Sequence, residues 1–129
     1  MEVNKVITLL EENNYKYNLK NEVITVHLDF SQNVIIDLSD AQKIIISDQL
    51  KGWNFLTGYI KMSLKNAVLY NFILLLFAGF LSHYVILIGQ NMISLLILLI
   101  GWVLMFTTYY LIKLESFKLQ FFTLKNKSV

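Results

Sequence analysis

Residues 67–112 read AVLYNFILLLFAGFLSHYVILI (67–88), GQN (89–91) and MISLLILLIGWVLMFTTYYLI (92–112). The two long runs hold 22 and 21 residues, and neither contains Asp, Glu, Lys or Arg. At 1.5 Å per residue each forms a helix of ~32 Å, which matches a hydrocarbon core of ~30 Å. Gly89-Gln90-Asn91 is a turn-type triplet, so the two spans run antiparallel as a transmembrane helical hairpin over 67–112. A pair of buried core helices is the competing arrangement, but the rest of the chain is too short to enclose both. The N-terminus, Met1-Glu2-Val3, opens no early apolar stretch, so neither run reads as a signal peptide.

Composition agrees. Hydrophobic residues make up 56% of the chain and charged residues only 16%, against ~25% charged in a soluble domain. There is no Pro, no Cys and no Arg; all 11 basic residues are Lys. Without Cys there is no disulfide scaffold, thiol nucleophile or Cys-ligated metal. Without Arg the forked donor for phosphate or carboxylate is missing.

The lysines set the orientation. Lys51, Lys61 and Lys65 precede the first span; Lys113, Lys118, Lys125 and Lys127 follow the second; the turn has none. The positive-inside rule then places both termini in the cytoplasm. Trp53, Phe55, Tyr59 and Tyr70 lie near the inner end of span one and Tyr109-Tyr110 near that of span two, as expected of rings at the headgroup level. Lys51, Trp53, Lys61, Lys65, Lys113 and Lys118 are the candidate headgroup contacts.

Residues 1–50 read as a small cytoplasmic α+β domain. Val3, Val6, Ile7 and Leu10 recur at helical spacing, and Asn13-Asn14 ends that helix. Ile24, Val26, Leu28 and Phe30 then alternate with Thr25, His27 and Asp29 as a strand. Val34–Leu38 follows across a turn at Ser31-Gln32-Asn33, and Lys43–Ser47 follows Ser39-Asp40. Tyr15, Tyr17 and Leu19 suit a further short strand. The expected fold class is thus an α+β membrane protein: helix, antiparallel β-meander, two-helix hairpin.

Residues 51–66 are a juxtamembrane segment with two readings. Ile60, Met62 and Leu64 alternate as in a strand. Trp53, Leu56, Ile60 and Leu64 oppose a polar stripe of Asn54, Thr57, Gly58, Lys61 and Lys65, as in an interfacial helix. The helical pattern is longer and is preferred. The basic tail, 113–129, has the same ambiguity; Leu114, Phe117, Phe121 and Leu124 favour a helix continuing span two.

Small and weakly polar residues favour close helix contact in lipid. Ala67, Asn71, Ala78, Gly79 and Ser82 in span one are therefore expected to form a hairpin seam with Ser94, Gly101 and Thr108 in span two. Asn71 is expected to bond near Thr108 or Tyr109. The same stripes are also suited to binding another subunit.

No constellation carries chemistry. His83 has no carboxylate in the spans to relay a proton. His27 has no Cys or neighbouring His for a metal site. Asp37, Asp40 and Asp48 lack the spacing of a calcium loop and suit turn chemistry. Asn126-Lys127-Ser128 matches a glycosylation sequon but falls on the cytoplasmic side. Phosphate-loop and hydrolase motifs are missing. A net charge of +2, with topology already accounting for the lysines, argues against nucleic acid. No catalytic residue, metal or cofactor is expected. The expected role is a non-catalytic accessory, regulatory or assembly component of a membrane complex, with the bilayer and a protein partner or second copy as its contacts. The alternative is a membrane-permeabilising effector or pore former that oligomerises through the hairpin.

Overall fold

The structure, a computed structural model, describes residues 3–84 and 89–127. The amphipathic stripe at the start forms α1 (Val3–Glu12), which buries Val6 and Leu10. Asn14, at φ 56°, closes it. The Tyr15 N–H reaches the Leu10 carbonyl at 2.9 Å and the Asn14 N–H the Glu11 carbonyl at 3.0 Å. That is a Schellman stop, and Asn tolerates its left-handed residue better than most side chains.

Four strands follow: β1 (Lys16–Lys20), β2 (Val23–His27), β3 (Gln32–Asp37) and β4 (Ile45–Leu50). They form one antiparallel sheet in sequence order. Asn21 and Glu22 both have positive φ, as a two-residue hairpin turn that follows the strand twist requires. The β2–β3 register, Ile24 opposite Ile36 and Val26 opposite Val34, puts four branched residues on one buried face. The expected turn at Ser31-Gln32-Asn33 is displaced: β3 begins at Gln32, and Phe30 and Ser31 take the positive-φ positions. The α+β layout stands.

Ser63 starts α2 (Leu64–Tyr84). Its carbonyl accepts the Ala67 N–H at 2.9 Å and its hydroxyl the Asn66 N–H at 3.3 Å. Asp48 on β4 caps the same end, its carboxylate accepting the Leu64 N–H at 2.6 Å. α3 runs from Gly89 to Lys127, 39 residues, or ~58 Å. Both helices are long and apolar enough to cross a membrane. Gly89-Gln90-Asn91 is therefore the first turn of α3, not the connection between spans. Residues 85–88, assigned to span one, lie outside the described residues.

The preferred helix over 53–65 is not present. Residues 52–62 form a compact loop, with an antiparallel bridge between Leu50 and Met62 and another between Asn54 and Gly58. The helical continuation of the tail is present. Leu114, Phe117 and Phe121 of α3 are buried with Val6, Leu10 and the sheet's inner face in one core. The sheet domain and the C-terminal half of α3 thus share one end of the hairpin.

Candidate functional site

Specific contacts gather at the junction where the sheet domain meets both apolar helices. Asn54 organises the loop. Its Oδ1 accepts the N–H groups of Leu56 (3.0 Å) and Thr57 (2.8 Å), and its Nδ2 donates to the Gly58 carbonyl at 3.0 Å. The Thr57 hydroxyl donates to the Ile60 carbonyl at 2.8 Å. A helix over this stretch loses to Asn54 because the side chain supplies the turn with its own donors and acceptors. Gly58, at φ 62°, completes the turn.

Three side chains moor this loop and the neighbouring β2–β3 loop to the helices. Asn71 of α2 donates to the Leu56 carbonyl at 2.8 Å and to the Ala67 carbonyl at 2.9 Å. The Trp102 indole donates to the Phe55 carbonyl at 2.9 Å. The Tyr110 phenol donates to the Phe30 carbonyl at 2.9 Å and accepts the Phe55 N–H at 3.4 Å. Gln32, fully buried, donates to the Tyr110 backbone carbonyl at 2.9 Å. Aromatic rings fill the space between. Phe55 stacks on Phe106 at 4.1 Å and meets Phe30 edge-on at 5.1 Å. Each such ring pair adds ~0.5–1.5 kcal/mol beyond its buried area.

By sequence Phe30 belongs to a strand, Gln32 to a turn, Asn54 to a polar helical stripe and Tyr110 to the headgroup level, but none of them is given a role in a junction. Gln32 carried one signal: it shares the inward parity of Val34 and Ile36 on β3. A polar residue at such a position needs a specific partner.

Of the residues expected at the seam, those of α2 are more covered than those of α3. Ala67 and Asn71 are buried; Ala78, Gly79 and Ser82 are half-buried. Ser94, Gly101 and Thr108 are exposed. A Cβ added at Gly101 would meet nothing within 4 Å. The face of α3 turned toward the interior instead carries Met92, Leu96, Val103, Phe106 and Tyr110. Leu99 and Val103 line a lateral groove of about 300 Å³ with Leu74 and Ala78 of α2. The expected Asn71–Thr108 bond is replaced: Asn71 serves the loop, and the Thr108 hydroxyl donates to Leu104 in its own helix at 2.8 Å.

Among the candidate headgroup contacts, Lys51, Trp53, Lys61 and Lys65 are exposed around the loop and the start of α2. Tyr59 at 81% exposure and Ile60 at 49% extend this rim. Lys113 and Lys118 are half-buried and already paired, with Asp29 and Glu115 respectively, each at 3.0 Å.

At the far side of the sheet, β1 pairs only with β2 and is exposed at four of its five residues. The Tyr17 phenol donates to the Glu11 carboxylate at 2.8 Å. That bond, with a lesser contribution from burial, holds the phenol above its ordinary pKa. Among the described residues no three His, Asp or Glu side chains gather in a metal-binding group. No protein-family model, curated protein or solved structure matches the chain.

Proposed function

We propose that the chain is a two-span integral membrane protein, with both termini cytoplasmic, that acts as a non-catalytic accessory or assembly component of a membrane complex. The apolar helices support the membrane part. The buried share of the most apolar stretch is 17% in α2 and 6% in α3, and a soluble monomer rarely leaves so continuous an apolar surface open. The observation that carries the interaction role is the junction itself. Asn71, Trp102 and Tyr110 clamp a small sheet domain to both spans at one end of the hairpin. Such a mooring presents the sheet's open edge in a fixed orientation at the membrane surface, as a docking platform requires. Trp53, Tyr59, Lys51, Lys61 and Lys65 suit the headgroup level.

Crosslinking in the native membrane tests this reading. A stoichiometric protein attached to the sheet domain is expected. A partner-free monomer, under conditions that preserve other complexes, overturns it. A second reading, oligomerisation into a membrane-permeabilising assembly, is supported by the outward exposure of Ser94, Gly101 and Thr108. Dye release from liposomes tests it, and intact liposomes at high protein loading reject it.

A further inference from the structure

The hydrogen-bond phase of the sheet identifies which backbone groups of β1 are open. The Leu38 N–H bonds the Glu22 carbonyl at 3.0 Å and the Leu28 N–H the Gln32 carbonyl at 2.8 Å. Even-numbered residues of β2 therefore bond to β3, and odd-numbered ones to β1. In antiparallel pairs these roles alternate. The register Lys16–His27, Asn18–Thr25 and Lys20–Val23 then spends the N–H and C=O groups of Lys16, Asn18 and Lys20 on β2. The corresponding groups of Tyr17 and Leu19 point away from the sheet.

The side chains along this edge are polarised. Lys16, Asn18 and Lys20 stand on the outer face; Tyr17 and Leu19 stand on the inner face, where Leu19 is 48% exposed. The only ionised groups on β1 are the two lysines. Beside Lys20 the outer face forms a shallow cavity of about 700 Å³, lined by Lys20, His27 and Lys51 with Leu28, Ile35, amides and hydroxyls, and no carboxylate. The cavity that Lys16 lines holds one carboxylate, Asp29, which is paired with Lys113. Glu11 lies on the opposite, inner side, against Tyr17. A second copy of the chain is a poor occupant in the register that pairs the whole strand. Antiparallel β1–β1 pairing about Asn18 sets Lys16 opposite Lys20, and like charges directly opposite are destabilising.

We propose that β1 is a docking edge for an extended acidic segment of a partner protein, which adds as a fifth strand. It bonds the free backbone groups of Tyr17 and Leu19, covers their side chains with apolar residues, and sets carboxylates opposite Lys16 and Lys20. The complementary pattern is acid, apolar, any, apolar, acid. This inference rests on the platform reading and names the partner's chemistry.

The test uses the full chain in lipid nanodiscs and fluorescein-labelled synthetic peptides with glutamates flanking a valine–threonine–valine core. Wild type is expected to bind the peptide. Lys16→Glu/Lys20→Glu is expected to bind about tenfold more weakly, the sum of two cross-strand charge pairs. Leu19→Pro removes one outward N–H without touching the β1–β2 ladder, and is expected to lose binding. Equal binding of a lysine-flanked peptide, or of a peptide N-methylated along its bonding edge, overturns the proposal. So does failure of wild type to bind, with crosslinks from position 16 to anionic lipid in the same discs, which assigns the lysines to headgroups. In native membranes, a crosslinked partner that Leu19→Pro retains in full overturns this edge as the docking mode but leaves the platform reading standing. No crosslinked partner for wild type overturns the platform reading itself.

Discussion

The Tyr110 phenol reaches 2.9 Å across to the Phe30 carbonyl, joining the middle of α3 to a loop eighty residues earlier in the chain. Phe30 needs the tie. Its φ is 53°, a region that bulky residues rarely occupy, and the bond together with the rings of Phe55 and Tyr109 holds it there.

Removing that hydroxyl breaks the tie, along with the longer bond that it accepts from the Phe55 N–H. Tyr110→Phe is expected to destabilise the protein by ~1–3 kcal/mol, because the substitution leaves the Phe30 carbonyl without its partner. Tyr110→Ala, which also empties a fully buried ring position, is expected to cost ~3–5 kcal/mol. Denaturant unfolding in mild detergent, followed by tryptophan emission, measures both.

Asn71 and Thr108 separate two accounts of how the hairpin is held. Asn71→Leu strips the Leu56 carbonyl of its donor and is expected to loosen the 52–62 loop, at ~1–3 kcal/mol. Thr108→Val removes only an exposed bond within one helix, and is expected to stay within ~0.5 kcal/mol. Paired unfolding curves decide it. A Thr108→Val cost equal to that of Asn71→Leu would restore a seam through Thr108.

Gly52 has φ 97°, and a Cβ there would come within 3.2 Å of the Ser31 hydroxyl. Gly52→Ala is expected to destabilise by ~1 kcal/mol or more, since the strain and the contact act together. Gly101→Ala, in open space on a helix, is expected to be neutral or slightly stabilising, by up to ~1 kcal/mol. Thermal unfolding of the two variants in parallel checks the contrast.

The absence of cysteine makes single-cysteine labelling clean. Ser39→Cys in the sheet domain and Asn126→Cys at the end of α3 are expected to react with a membrane-impermeant maleimide from the same side. The shared core of α1, the sheet and Phe117 requires this. Labelling from opposite sides would contradict the packing.

Local signals in the sequence marked most of the elements. Charge-free runs of spanning length marked α2 and the first half of α3. Val3, Val6, Ile7 and Leu10 marked α1. Alternation about Ile24 and Val26 marked the buried face of the sheet. Each rests on a periodicity contained within a single element. The pattern misled where a side chain overrides it. The polar stripe through Asn54 and Gly58 is helical in spacing, but Asn54 spends its amide on a turn.

Tertiary structure alone decided how these parts meet. A helix that is apolar on all sides has no polar face to show which side packs, so the small-residue stripe of α3 was the only local guide. It points outward, because the opposite face is claimed by Phe106 and Tyr110 reaching the loops of the sheet domain. Asn71 was legible as a polar residue needing a partner at depth. That its partner is Leu56 depends on a loop folding back against α2, a contact between distant parts of the chain that no local period encodes.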